Sequence, residues 1–203
     1  MHLIAEPWLV RRRGMAILIS GMLLWMGVHL MPALLPSNKK ALVAKLGRGR
    51  YMLLFTILIF TALFLIIVGW QKTSPEFVYH LSFGRHITML LMVVALLYFS
   101  AAKILSRIKN TVNHPQLTSV LIWACAHLIA NGDTRSIILF GGMAFWSALE
   151  ILLINKRDGK IEKTAVTGWK GDIGVVVMTA ILVGLLLVVH PYISGVPIVR
   201  QVL

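Results

Sequence analysis

The chain has 203 residues, 58% of them hydrophobic and only 13% charged, with a mean hydropathy of +0.84. A water-soluble domain carries about 25% charged residues, so a soluble globular fold is excluded. The net charge of +13 is dispersed between apolar runs rather than gathered on one basic face, which argues against a nucleic-acid partner.

Residues 1–14 hold Arg11, Arg12 and Arg13 and precede a second start-like methionine, Met15. They read as an N-terminal extension to a single domain over 15–203. The first apolar run, 15–36, is longer than the roughly 7–15 residues of a signal-peptide core, so it is expected to be an uncleaved anchor. Within it stand Trp25, His29 and Pro32. A basic connection over 36–50 (Lys39, Lys40, Lys45, Arg48, Arg50) leads to a second run, 51–70, and then to the segment "SPEFVYHLSFGRH". The third run is 87–105, followed by the basic stretch 103–117.

The segment 115–130 opens with Pro115 at a position suited to a helical first turn. At about 1.5 Å of rise per residue it hardly spans a bilayer, so it is expected to lie buried among the other helices. It contains Trp123, the lone cysteine Cys125, and His127. In "ANGD", Asn131 and Gly132 are expected to stop that helix in the left-handed conformation and Asp133 to cap the next. The fifth run, 136–154, carries Gly141, Gly142, Ala144 and Ala148, small residues that permit close helix contact. After the basic stretch 155–172 comes the last run, 173–190. The fold class is therefore all-α, a polytopic membrane bundle of about six helices.

Three connections, 36–50, 103–117 and 155–172, hold 13 of the 20 basic residues. Their excess places them in the cytoplasm and both termini outside it, with Arg11–Arg13 pulling the other way. Tyr51, Trp70, Trp169 and Tyr192 fall near helix ends, as interfacial aromatics do. Glu76, Asp158, Glu162 and Asp172 read as solvated. With one cysteine there is neither an intrachain disulfide nor a cysteine-based metal cluster.

Of the seven histidines, His2 lies in the extension, His80 in a loop, and His86, His114 and His190 at the edges of apolar runs, where anchoring at the interface accounts for them. His29 and His127 differ. Each follows a tryptophan by one turn, and each sits deep, about 9 Å and 16 Å from the cytoplasmic end of its helix. Ionisable groups at such depth mark functional sites. Two readings compete. In one, each neutral ring bonds a neighbouring helix, for instance at the Val28 carbonyl that Pro32 leaves free. In the other, His29 and His127 are axial ligands of a haem, with Trp25 and Trp123 as aromatic walls and with Gly27, Ala124 and Ala126 leaving room for a flat ring. The depths differ by about 7 Å, which the second reading must absorb by helix tilt or the Pro32 kink. Cys125, two residues from His127, should point elsewhere.

"GVHLMPALLP", "GRH" at 84–86, the block "RIKNTVNHPQLTSVLIWACAHLIANGDTRSIILFGGMAFW" and "VVHPYISGV" together resemble the NnrU family, over roughly residues 16–197. Some members of that family are encoded beside denitrification enzymes, and its domain is shared with plant zeta-carotene isomerase, a haem b membrane enzyme. The resemblance implies haem b on His29 and His127, in a multi-pass protein of the bacterial cytoplasmic membrane. It implies either cis-trans isomerisation of a polyene lipid or a non-enzymatic haem-bearing role, accessory or sensory, in nitrogen-oxide metabolism. Leu121 stands where many relatives have Lys, and Cys125 is one position away from the isomerase's alternative cysteine ligand. An acidic residue common in relatives corresponds to Glu150, which reads as structural, either snorkelling to the interface or pairing with Lys156 or Arg157. A membrane methyltransferase of the isoprenylcysteine type shares a His-Pro before a short helix, but its downstream glutamates and tyrosine segment are missing. No Walker, dinucleotide or Ser-His-Asp pattern occurs.

Overall fold

The computed structural model describes residues 7–159 and 163–194; His2, Lys160, Glu162 and Arg200 lie outside them. The described residues are mostly helical: α1 Pro7–Leu34, α2 Pro36–Leu46, α3 Arg48–Gln71, α4 Gly84–Ala101, α5 Pro115–Ala130, α6 Thr134–Asp158 and α7 Lys170–Ser194. Among the described residues five stretches are long and apolar enough to cross a bilayer: Arg12–Leu34 of α1, α3, α4, α6, and Lys170–Tyr192 of α7. At 16 residues, α5 is about 24 Å long, short of the roughly 30 Å hydrocarbon layer. A helical membrane bundle is what the composition led one to expect.

The packing follows from where the small residues fall. Gly14 and Gly21 of α1 and Ala62 and Gly69 of α3 recur at heptad spacing, and the backbones touch there: a Cβ at Gly21 would meet Ile66, one at Gly69 would meet Leu18. Without a hydrophobic force between helices in lipid, such close backbone contact is what holds a pair together. α4 packs on α5 and on α7, and α6 packs on both α1 and α5, joining the two groups. Leu18, Met22 and Ile66 form a buried cluster against which Trp25, Ile138 and Met143 pack. Gly142 lies against Met22, as its size suggested, whereas Gly141 faces open space.

Cross-links at each end tie the connections together. At one end the segment after α3 docks on the α5–α6 turn, with Val78 and Tyr79 donating to the Gly132 carbonyl and Thr134 donating to that of Glu76. Tyr79 Oη donates to the Leu128 carbonyl, and Arg135 donates to the Thr73 carbonyl at 2.9 Å while its guanidinium lies over Trp70. At the other end, Asp172 accepts from Arg107 Nε at 2.5 Å and from the Arg107 and Ile108 amides. Asp172 is thus a tether rather than a merely solvated charge.

Several local expectations change. The connection 36–50 is largely helical: Pro36 starts α2, and Gly47, at φ +78°, ends it. Lys and Ala favour helix, and Leu42, Val43 and Leu46 give α2 apolar residues to lay on the bundle. The third run begins at Gly84, not 87, and ends at Ala101. Asp133 caps α6 as expected, accepting from the Ser136 amide and hydroxyl at 3.1 and 2.6 Å. But α5 ends without a left-handed residue: Asn131 is extended at φ −124°, and the positive-φ glycines are Gly47, Gly159 and Gly168. Gly132 is required for another reason, because the Tyr79 backbone lies where its Cβ would be. Tyr51 is buried rather than interfacial, while Trp169 and Tyr192 are exposed.

Replacing Asp133 by Ala removes a cap that also fixes the turn on which the segment after α3 docks. Asp133→Ala is expected to cost about 1–2 kcal/mol in thermal or denaturant unfolding in detergent, and Asp133→Asn markedly less. Equal losses would show that the charge, not the cap, matters.

Candidate functional site

Local geometry is the same at both tryptophan–histidine turns. His29 Nδ1 lies 2.9 Å from the Trp25 carbonyl, and His127 Nδ1 lies 2.9 Å from the Trp123 carbonyl. A carbonyl only accepts, so each ring donates there. When neutral, each carries its proton on Nδ1 and its lone pair on Nε2. The acceptor is thus the residue's own helix one turn back, not a neighbour, and the Val28 carbonyl is not used by His29. Orienting an imidazole through Nδ1–H to a carbonyl is also how metal-ligating histidines are held.

Aromatic rings wall both histidines. The His29 ring centroid is 4.3 Å from Trp25, 4.9 Å from Trp146 of α6 and 5.8 Å from Phe55 of α3. That of His127 is 5.1 Å from Trp123 and 4.5 Å from Phe140 of α6, on which it stacks with the planes 28° apart. Tryptophan and histidine are therefore brought together within each pair. The two pairs form separate clusters, one on Trp146 and one on Phe140. These positions are six residues apart on α6, about 9 Å along its axis, the same order as the depth difference read from sequence.

Phe140 meets α5 from the early part of α6. Residues Ile137–Gly141 form a π turn between α-helical flanks, a wide turn frequent at functional sites. Phe140 sits in it, 6% exposed, and touches Trp70 and Trp123 as well as His127. Nothing in the residue pattern of "IILFGG" signals such a turn.

The other candidates divide. Ala124 and Ala126 are fully buried, so they serve helix packing instead of leaving room for a flat ring; Gly27 does face open space. Cys125 is exposed and turned away from His127. His80 and His86 are exposed, His114 Nε2 bonds Asn155 Oδ1 at 2.8 Å, and His190 bonds Ser194. Arg157 pairs with its neighbour Asp158 at 2.6 Å and not with Glu150. Among the described residues no three His, Cys, Asp or Glu side chains gather as a metal-ion cage does.

Three buried polar atoms without partners were not foreseen, two of them on the tryptophans beside His29. Trp25 Nε1, Trp146 Nε1 and Glu150 Oε2 are buried without a hydrogen-bond partner. Trp25 and Trp146 meet edge to face at 5.6 Å, and Glu150 follows Trp146 by one turn on the same face of α6. Orphaned buried donors and acceptors are rare and mark strain or a site awaiting a polar ligand. The i, i+4 spacing of Trp146 and Glu150 was the available signal.

A family model described as NnrU protein matches residues 17–198, nearly the whole chain. No curated protein and no solved structure matches.

Two expectations follow from this geometry. In the ligand-free protein, ¹⁵N NMR of the histidine rings is expected to show His29 and His127 as Nδ1–H tautomers; Nε2–H signals at either would contradict the arrangement. Glu150→Leu removes a buried carboxyl oxygen that has no partner, and is expected to raise stability in that state by roughly 1 kcal/mol. A fall in melting temperature would show that the carboxyl is already bonded.

Proposed function

The chain belongs to the NnrU family, and from that premise we propose that it is a multi-pass membrane protein that binds haem b through His29 and His127. The observation that carries this reading is the twice-repeated Nδ1 bond to the tryptophan carbonyl one turn back, which leaves Nε2 as a lone-pair donor inside the bundle. A haem needs only one or two protein ligands, so a site without three clustered donors suits it better than a bare metal ion. The aromatic walls also fit a large flat group. Each histidine fits as a ligand taken singly; their separate clusters are why each must be tested by itself.

A haem held by His29 and His127 would supply a soft Lewis acid able to weaken the π character of a polyene double bond. The residues here contribute binding and exclusion of water. His29 and His127 present Nε2, Trp25, Trp146, Trp123 and Phe140 shield the rings, and the lipid-exposed faces of α1 and α3 admit an apolar substrate sideways. No general base is required, in keeping with so few ionisable groups. The reading is thus of a cis-trans isomerase acting on a polyene-type lipid, in the bacterial cytoplasmic membrane with its basic connections inward.

The test is the absorption spectrum of detergent-purified protein, oxidised and dithionite-reduced, after haem supplementation. We expect a Soret band with sharp reduced α and β bands, and the loss of most Soret absorbance in both His29→Ala and His127→Ala. Loss in one variant alone would assign the iron to that histidine and remove the other from the ligand set. A colourless parent protein, with the variants folded, would end the haem reading.

A further inference from the structure

Between α1 and α3 the contact changes character along its length. At Gly21 and Gly69 the backbones touch, but past Gly27 two adjoining hollows open between the helices and beneath α2. The inner one, about 280 Å³, is lined almost wholly by apolar side chains, with Leu24, Gly27 and Leu58 among them. The outer one, about 400 Å³, has Lys39 of α2 and Arg48 of α3 at its edge. Tyr51 and Phe55 line both, so the two are one groove, cationic at its mouth and apolar within.

The charge at that mouth has no answer in this part of the chain. Between Glu6 and Glu76 there is no acidic residue, while Lys39, Lys40, Lys45, Arg48 and Arg50 all fall inside that interval. Among the described residues no carboxylate pairs with Lys39 or Arg48. Two cations at the end of an apolar channel, at the interfacial level of α2, match one molecule of the surrounding bilayer: a phosphate head bonded by lysine and arginine with an acyl chain laid along Phe55. We propose that this groove is a binding site for a single anionic phospholipid. The site is independent of haem, although its shared wall Phe55 stands 5.8 Å from the His29 ring.

The experiment is native mass spectrometry of the full chain released from mixed micelles of phosphatidylglycerol and phosphatidylcholine with identical acyl chains. The parent is expected to retain one phosphatidylglycerol in preference to phosphatidylcholine. Lys39→Gln with Arg48→Gln should cut that retention about tenfold, whereas Lys163→Gln with Lys170→Gln, which removes equal charge elsewhere, should leave it intact. Gly27→Leu, at a position where a Cβ meets nothing within 4 Å, places a side chain in the inner hollow and should lower retention with the head-group cations still present. Equal retention of the two lipids by the parent would overturn the proposal in favour of a groove for neutral chains. Equal loss in both charge pairs would reduce it to general surface attraction, and an unaffected Gly27→Leu would show that the groove is not where the lipid sits. Circular dichroism of each variant confirms that all are folded.

Discussion

Inside the hydrocarbon layer a polar group finds its partner in its own helix or in a neighbouring one, because no water is there to serve. Most features of this molecule answer to that constraint. Thr73, Ser147 and Thr179, all buried, each donate to a carbonyl one turn back. His29 and His127 do the same through Nδ1. The device costs no second helix, and it leaves the far side of each imidazole uncommitted. What remains unmatched among the described residues is then conspicuous: the indole N–H groups of Trp25 and Trp146, a Glu150 carboxyl oxygen, the Thr134 hydroxyl and Arg135 Nε.

The same constraint divides the protein into ends and middle. Irregular backbone is confined to the two ends, where it is knitted by main-chain bonds between the segment after α3 and the α5–α6 turn and by Asp172 to the segment after α4. The middle is helix against helix, closest where glycine or alanine removes the side chain. α6 is central because it alone packs strongly on both α1 and α5, and so it supplies a wall to each histidine.

The sequence disclosed what depends on composition and on short-range chemistry. The apolar blocks announced the spans, Pro115 and Asp133 announced helix starts, and depth singled out His29 and His127. It did not disclose what depends on the partner across an interface. Gly132 was taken for a conformational stop, but the requirement comes from Tyr79, more than fifty residues away. Ala124 and Ala126 resembled free space and are buried in helix packing. Glu150 lay within reach of Arg157 along the chain, yet Asp158 is nearer to that guanidinium. The region 36–50 was read by its charge, which hid the helix formers between the lysines.

The π turn in α6 has one further consequence. A helix that widens for one turn holds a residue's worth of slack, and in α6 that joint lies just after the opening turn Thr134–Ser136. Phe140, within the joint, bears on His127, while Trp146, beyond it, bears on His29. The height and bearing of each imidazole belong to its own helix, α1 or α5; what the placing of the wide turn governs is which wall α6 turns toward each of them.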